Sequence, residues 1–211
     1  MKYYQLPLGP LGTNCYIVEA GNKECLIIDP GEEAGKLIRL IESKGLKPLA
    51  VLLTHAHFDH IGALDAVRDH YGIEAYVHTK EKHWLGDGAL NGSKHFMMGR
   101  LIEQRNAEHL IKGEGQLEIG PFNLELLETP GHSPGSVSFY VKEKGYLFSG
   151  DVLFKGSVGR TDLPGGSMDT LMSSIRTKLL KLPGDTIVFP GHGEITLLDD
   201  ERASNPFLNG Y

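Results

Sequence analysis

The sequence has neither the clustered basic charge of a nucleic-acid-binding protein nor the long apolar run of a membrane protein. Its 211 residues carry a formal net charge of −6, with acidic and basic residues interspersed. Because nucleic-acid binding needs clustered Lys and Arg side chains, this balance argues against a nucleic-acid partner. No run approaches the roughly 20 apolar residues of a membrane span, and the N-terminus has no secretory signal pattern. We therefore expect a cytoplasmic protein with no membrane partner.

Cysteine is scarce as well, since Cys15 and Cys25 are the only two. The stretch NCYIVEAGNKECLIID predicts two strands joined at a two-residue turn, Gly21 and Asn22. In that register Cys25 lies opposite Val18, so the two thiols are offset by roughly 10 Å at ~3.4 Å per residue. A disulfide needs Cα atoms closer than about 7 Å. We expect both cysteines to be reduced residues that pack in the interior.

The remaining composition is that of an ordinary globular protein, with 40% hydrophobic and 23% charged residues. No segment resembles a linker, so the sequence predicts a single domain over residues 1–211. Ala34, Leu37 and Ile41 lie on one face of a predicted helix, and residues 48–54 form an apolar run typical of a strand covered on both faces. Residues 85–100, LGDGALNGSKHFMMGR, predict a long loop or short-helix insertion that lines or covers a site, or else an irregular surface connection.

The second half of the chain repeats this order of elements. FNLELLET, SVSFYV and YLFSGD predict strands, MDTLMSSIRTKLLKL predicts an amphipathic helix, and TIVFPGHG predicts a last strand. Each half thus has hairpin strands, a helix, and a strand that stops at histidine. We predict an α/β fold with two mixed sheets packed face to face and helices outside, a four-layer αββα sandwich.

Four ligand-type residues follow the predicted buried strand in VLLTHAHFDHIGAL. They are His55, His57, Asp59 and His60. Side chains alternate in an extended segment, so His55, His57 and Asp59 are expected on one side. Two imidazoles two residues apart can bind one metal ion, while Asp59 and His60 could serve a second ion. A single HxH pattern is weak evidence, but four such residues within six positions are much stronger.

Three further positions repeat this arrangement of an apolar strand, a turn of small residues and a ligand-type side chain. They are His132 in TPGHSPGS, Asp151 in FSGDVLF and His192 in FPGHGE. Singly, they could be a turn histidine, a helix N-cap and a surface residue. Together with residues 55–60 they make seven ligands, too many for one tetrahedral zinc ion. The set suits two divalent ions about 3.5–4 Å apart that share a carboxylate, with zinc expected and iron or manganese as alternatives.

The motifs THAHFDH, GHSPG, SGD and PGHG, in this order, resemble the metallo-β-lactamase superfamily. LGTNCY, GDVLFKGSVGRTDLPGG and ERASNPFLNG resemble its short bacterial branch related to hydroxyacylglutathione hydrolase, or glyoxalase II. The resemblance implies an αββα sandwich with a binuclear site at one edge. It assigns His55, His57 and His132 to one ion, assigns Asp59, His60 and His192 to the other, and makes Asp151 the bridge.

The same resemblance implies hydrolysis of a small-molecule thioester such as an S-lactoylglutathione-like compound. A hydroxide that bridges the two ions would attack the carbonyl, and Asp59 would orient it or take its proton. Arg160 and Lys155 are candidates for binding a substrate carboxylate, the alternative being a solvated cation or a structural salt bridge. Two features argue against a β-lactamase: the missing export signal, and Asp151 where the commonest branch has Cys. We expect a monomer or a homodimer.

Two other functions stay open. GRTD also resembles persulfide dioxygenase, in which His55, His132 and Asp151 would bind a single Fe(II). Two zinc-like ions with thioester hydrolysis would favour the first function, and one iron with oxygen consumption the second. The third reading is a catalytically inactive metal-binding module, which the presence of all seven ligands disfavours.

Overall fold

The computed structural model describes residues 1–209 and divides into two compact units. The first contains residues 1–112 and 118–122, and the second contains residues 113–117 and 123–209. Gly210, the last residue of the ERASNPFLNG motif, lies outside the described residues. The predicted single domain over residues 1–211 stays a prediction.

The first unit is built on a six-stranded mixed sheet whose strands are adjacent in chain order. The first three strands pair antiparallel, and the third to the sixth pair parallel. The strands are β1 (Lys2–Leu8), β2 (Thr13–Glu19), β3 (Glu24–Ile28), β4 (Lys47–Leu52), β5 (Glu74–His78) and β6 (His109–Ile111). Parallel pairing places the C-terminal ends of β3, β4 and β5 at one edge of this sheet.

Four helices belong to this unit: α1 (Ala34–Ser43), α2 (Phe58–Ile61), α3 (Leu64–Tyr71) and α4 (Ser93–Phe96). The apolar face of α1 is buried through Leu37 and Ile41, as the sequence pattern predicts, and the helix stops before Gly45, whose φ is 63°. Gly45 tolerates this left-handed conformation because it has no Cβ. The prediction that residues 85–100 contain a loop or a short helix is confirmed by α4.

The hairpin between β2 and β3 exists, but its predicted register is wrong by one residue. Cys25 pairs with Glu19, not with Val18. The loop has three residues rather than two, because Lys23 adopts a left-handed conformation with φ 72° and donates its N–H to Ala20 O at 3.3 Å. Both cysteines are buried and free, as expected.

Most of a second six-stranded mixed sheet, in the order β14-β13-β10-β9-β8-β7, belongs to the second unit, although the end of β7 and the first residue of β8 are counted with the first. The strands of this sheet are β7 (Gly115–Ile119), β8 (Phe122–Glu128), β9 (Val137–Val141), β10 (Tyr146–Gly150), β13 (Ile187–Pro190) and β14 (Thr196–Leu197). β10 and β13 pair parallel, whereas β8, β9 and β10 pair antiparallel. A separate small hairpin consists of β11 (Leu153–Phe154) and β12 (Ser157–Val158).

Three helices accompany this second sheet: α5 (Met168–Thr177), α6 (Leu198–Ser204) and α7 (Pro206–Asn209). The long helix that the sequence predicted ends at Thr177, and Leu179–Lys181 forms a separate 3-10 turn. The predicted apolar face consists of Leu171, Ile175, Leu179 and Leu182; the first three are buried, and Leu182 packs against them while partly buried. The prediction of an α/β fold with two mixed sheets and helices is confirmed.

No helix within residues 1–209 combines the length and the apolar character needed to cross a membrane. The cytoplasmic location and the oligomeric state stay predictions.

Candidate metal centre

In the first unit, the predicted ligands of residues 55–60 follow the C-terminal end of β4. His55, His57 and His60 are buried, and Asp59 is partly exposed. The extended backbone ends at His57, because Phe58 begins the short helix α2. The expectation that Asp59 continues the alternation of an extended strand is therefore wrong, and Asp59 lies in the first turn of α2.

The three imidazoles of this loop lie close together. The ring centroids of His55 and His57 are 4.8 Å apart with perpendicular planes, and those of His55 and His60 are 4.1 Å apart. The sequence predicted such proximity from the spacing alone. Clustered buried imidazoles in a neutral state are the common ligands of zinc and of other divalent transition metals.

Asp29, which no sequence motif marks as part of the site, supports two of these histidines. It follows β3, is buried, and accepts hydrogen bonds from Thr54 N at 2.8 Å, Thr54 Oγ1 at 2.6 Å and His60 Nδ1 at 3.0 Å. Because the Thr54 hydroxyl donates to Asp29, its oxygen accepts from His55 Nδ1, 3.1 Å away. Each ring is thus oriented through Nδ1, and Nε2 is the atom that can bind a metal.

Thr13 is a second supporting residue that sequence reasoning missed. It lies in the LGTNCY motif, is fully buried, and donates its hydroxyl to Asp59 Oδ2 at 2.7 Å. The same carboxylate oxygen is 3.5 Å from His60 Nε2. Two ligand atoms that each lie about 2.1 Å from a tetrahedral ion are about 3.4 Å apart. The donor atoms of Asp59 and His60 therefore fit a shared ion.

In the second unit, the ligand candidates follow three strands that are close neighbours in its sheet. His132 comes after β8, Asp151 directly after β10, and His192 after β13. Asp151 Oδ2 lies 3.6 Å from His132 Nε2 and 3.5 Å from His192 Nε2. These distances also match the separation of about 3.4 Å between two ligands of one ion. One carboxylate adjacent to two imidazoles is the arrangement that a bridging ligand requires.

The backbone around Asp151 and His132 is packed tightly. His132 Nδ1 donates to the carbonyl oxygen of Arg160 at 2.8 Å, so Nε2 is again the atom available to a metal. A Cβ at Gly159 would lie 1.9 Å from the carbonyl oxygen of Asp151, and one at Gly131, whose φ is 135°, would lie 2.2 Å from Leu171 N. Glycine is required at both positions. This explains the Gly-rich turns of the sequence motifs.

Both cations that the sequence proposed for substrate binding are exposed and paired with carboxylates. Arg160 forms two hydrogen bonds of 2.7 Å with Asp162, whose pKa falls to about 2 mainly through this contact. Lys155 pairs with Glu194, which raises the pKa of the lysine. The observed contact of Arg160 with a predicted ligand is made by its main-chain oxygen. Substrate binding by either side chain stays a prediction.

All seven residues predicted as ligands are candidate metal ligands by residue type and location. They are His55, His57, Asp59, His60, His132, Asp151 and His192. The other histidines for which contacts are described have ordinary ones. His70 and His109 pair with Glu42 and Glu74, and His78 accepts a hydrogen bond from Lys80 N at 3.3 Å.

Comparison with known proteins gives matches along nearly the whole chain. A family model described as the metallo-beta-lactamase superfamily matches residues 8–192. The probable metallo-hydrolase YqgX of Bacillus subtilis is 54% identical, with 100% of this chain and 99% of the relative covered. Hydroxyacylglutathione hydrolase GloC of Haemophilus influenzae is 40% identical, with 97% of this chain and 96% of the relative covered.

Solved structures with a similar fold also match along nearly the whole chain. The crystal structure of BLEG-1 B3 metallo-beta-lactamase matches with a TM-score of 0.97 and 53% identity, covering 99% of this chain and 100% of the other. TTHA1623 in a di-iron-bound form matches with a TM-score of 0.87 and 42% identity, covering 97% and 100%.

Proposed function

Since the chain belongs to the metallo-beta-lactamase superfamily, we propose that it is a binuclear hydrolase that cleaves thioesters of small thiols. The coarser conclusion, a metal-dependent hydrolase, follows from the family and from the similarity to YqgX and GloC. The finer assignment to thioesters is supported by GloC, which its name describes as a hydroxyacylglutathione hydrolase and which is similar along 97% of this chain.

The proposed ligand assignment uses all seven candidate residues. One ion would be held by His55, His57 and His132, and the second by Asp59, His60 and His192, with Asp151 as the carboxylate that both would share. The observation that carries this assignment is the position of Asp151 Oδ2, which lies 3.5–3.6 Å from two imidazole nitrogens. The described binding of two irons to the similar TTHA1623 supports a binuclear site. Zinc is our proposed metal, with iron or manganese as alternatives.

A pair of divalent ions bound there would supply hydroxide near neutral pH, because such an ion lowers the pKa of water from about 15.7 to about 7. The protein's own contribution is to fix the ligands and one catalytic carboxylate. Thr13 holds Asp59 Oδ2 through a hydrogen bond of 2.7 Å, so the orientation of the carboxylate is set. We assign Asp59 the role of orienting the attacking oxygen or accepting its proton.

A thioester suits this set of residues because a thiolate departs without strong help from a general acid. Arg160 and Lys155 are our proposed contacts for a carboxylate on the substrate. To reach one, each would have to exchange its present carboxylate, Asp162 or Glu194, for that of the substrate. Exposed ion pairs of this kind contribute little to stability, so the exchange is energetically feasible.

The test combines metal analysis of the purified protein with a panel of thioesters. We expect two ions per chain and hydrolysis of S-lactoyl thioesters. Asp151→Ala should lose both bound metal and turnover, whereas Asp185→Ala, a change at an exposed aspartate of the same unit, should lose neither. Full metal content and full rate in Asp151→Ala would refute the bridging assignment. One iron per chain, together with oxygen consumption in the presence of a persulfide, would show that the protein is a dioxygenase and not a hydrolase.

The hydrolysis of β-lactams is a second candidate, because BLEG-1, described as a B3 metallo-beta-lactamase, is 53% identical. The carboxylate of Asp151 speaks against this substrate class, because the commonest β-lactamases have Cys at that position. A chromogenic β-lactam in the same panel separates the two substrate classes. A kcat/KM for the β-lactam well above that for every thioester would favour this second candidate.

A further inference from the structure

Residues 53–57 connect β4 to α2, and a different part of the chain accepts two hydrogen bonds from the backbone of residues 56–58. Ala56 N donates to Glu81 Oε2 at 2.6 Å, and Phe58 N donates to Asn91 O at 3.0 Å. Ala56 is the residue between His55 and His57. The acceptors both come from residues 81–91, which overlap the segment 85–100 that the sequence predicts to line or cover a site, and neither acceptor is among the proposed metal ligands.

Glu81 is placed for this contact by the sheet. It ends the 3-10 turn Thr79–Glu81, which directly follows β5, the parallel neighbour of β4. Both strands therefore end at the same edge, and the Glu81 carboxylate reaches the loop after β4. Its side chain has 0% exposure. Burial of a carboxylate is unfavourable unless hydrogen bonds satisfy it, so a solvated surface role for Glu81 is excluded.

The main chain of Glu81 also helps to place Trp84, whose ring contacts His57. Trp84 N donates to Glu81 O at 2.9 Å, and the Trp84 ring lies 5.6 Å from the His57 ring, centroid to centroid. Asn91, which is also fully buried, donates its side-chain amide to Trp84 O at 3.0 Å. Residues 81–91 thus hold both the peptide between the two histidines and one of the two rings.

We propose that residues 81–91 form the positioning element of the metal-binding loop, with Glu81 as its principal positioning residue. Glu81 fixes the peptide plane of Ala56 and therefore the directions in which the two neighbouring imidazoles point. Trp84 restricts rotation of the His57 ring. This inference rests on the proposed binding of metal by His55 and His57. Groups that orient metal ligands in this way typically change metal affinity by about 10–100-fold when they are removed.

The test is the affinity for Zn²⁺ alone, measured by competition with a chelator on the full chain. Glu81→Ala should weaken binding at least about tenfold. Glu81→Gln, which keeps an oxygen acceptor for Ala56 N, should stay within about threefold of the wild type. The absorption spectrum of the Co²⁺-substituted protein should shift in Glu81→Ala, because it reports the geometry of the bound imidazoles.

Glu108→Ala is the matched control. The carboxylate of Glu108 also accepts a backbone N–H, that of Ala75 at 2.8 Å, but Ala75 lies near the start of β5. This variant should lower the melting temperature of the metal-free protein and leave Zn²⁺ affinity unchanged. If Glu81→Ala does not fold, Trp84→Leu is the variant that tests the proposal. We expect it to shift the Co²⁺ spectrum and to weaken Zn²⁺ binding.

Two results overturn the proposal: wild-type Zn²⁺ affinity in folded Glu81→Ala, or a wild-type Co²⁺ spectrum in Trp84→Leu. Either would show that the segment only stabilises the fold. A wild-type protein that binds no metal would instead refute the proposed function. The two failures are therefore distinguishable.

Discussion

Asp29→Asn tests whether one buried carboxylate orients the histidines of the first unit that are candidate metal ligands. Asp29 has φ 52°, a left-handed conformation that Asn tolerates as well as Asp does, so the backbone is not strained further. The remaining amide oxygen can still accept from Thr54 N. The new amide NH2, however, faces two donors, Thr54 Oγ1 and His60 Nδ1, which both donate to Asp29 Oδ2.

The expected magnitude follows from these two contacts. Hydrogen bonds to a charged group contribute about 1.5–3 kcal/mol each, so their joint loss amounts to about 3–6 kcal/mol. Removing a buried charge recovers part of this desolvation cost. We therefore expect the free energy of unfolding of the metal-free protein to fall by about 2–4 kcal/mol. In a chain of this size, the melting temperature should fall by roughly 5–15 °C.

The assay is urea unfolding and calorimetry of the metal-free protein, together with Zn²⁺ affinity by chelator competition. Affinity should fall about 10–100-fold, because His60 loses the acceptor that orients its ring. Asp69→Asn, a change at an exposed carboxylate that pairs with Arg105, is the control and should alter neither quantity. An Asp29→Asn protein within about 1 kcal/mol and twofold in affinity of the wild type would refute the reasoning.

Three further predictions concern residues around the site and in the core. Thr13→Val should lower kcat more than metal content, because Asp59 loses the hydroxyl that orients it; equal losses would assign Thr13 to metal binding only. Arg160→Ala should keep the metal content, since its described contact with His132 is through the main chain, and should raise KM for a carboxylate-bearing thioester if the side chain binds it. Burial raises the pKa of Cys25 to about 12 and also raises that of Cys15, so native protein should resist thiol reagents at pH 8. Because the pKa of the Cys25 thiol is higher in the folded than in the unfolded protein, the contribution of this thiol to the free energy of unfolding is complete below about pH 9. Above that pH the contribution falls by about 1.4 kcal/mol per pH unit up to about pH 12. Alkaline urea titrations of the wild type and Cys25→Ala can measure this difference.

Local patterns were sufficient for the elements and for the identity of the candidate ligands. The apolar face of α1 and the apolar strand β4 follow from periodicity, because burial of one face imposes a fixed spacing of apolar residues. His55, His57 and His60 could be recognised because metal binding requires specific side-chain types within a short span. The glycines near His132 and Asp151 could be recognised as turn signals, because glycine is the residue that allows such close approach of the backbone.

Other features either have no local sequence signal or depend on residues that are distant in sequence. The loop between β2 and β3 gained a third residue because Lys23 adopts a left-handed conformation, which the identity of a lysine does not signal. Thr13 and Glu81 contact Asp59 and Ala56 across separations of 46 and 25 residues. A threonine or a glutamate alone carries no indication of such a contact.

The sequence by itself therefore determined which side chains can bind metal and which strands precede them. Only the tertiary structure decided what holds those side chains in place. The physical reason is that Asp29 and Glu81 lie at the ends of β3 and β5, on either side of β4, and reach the loop only because parallel pairing brings the three strand ends to one edge of the sheet.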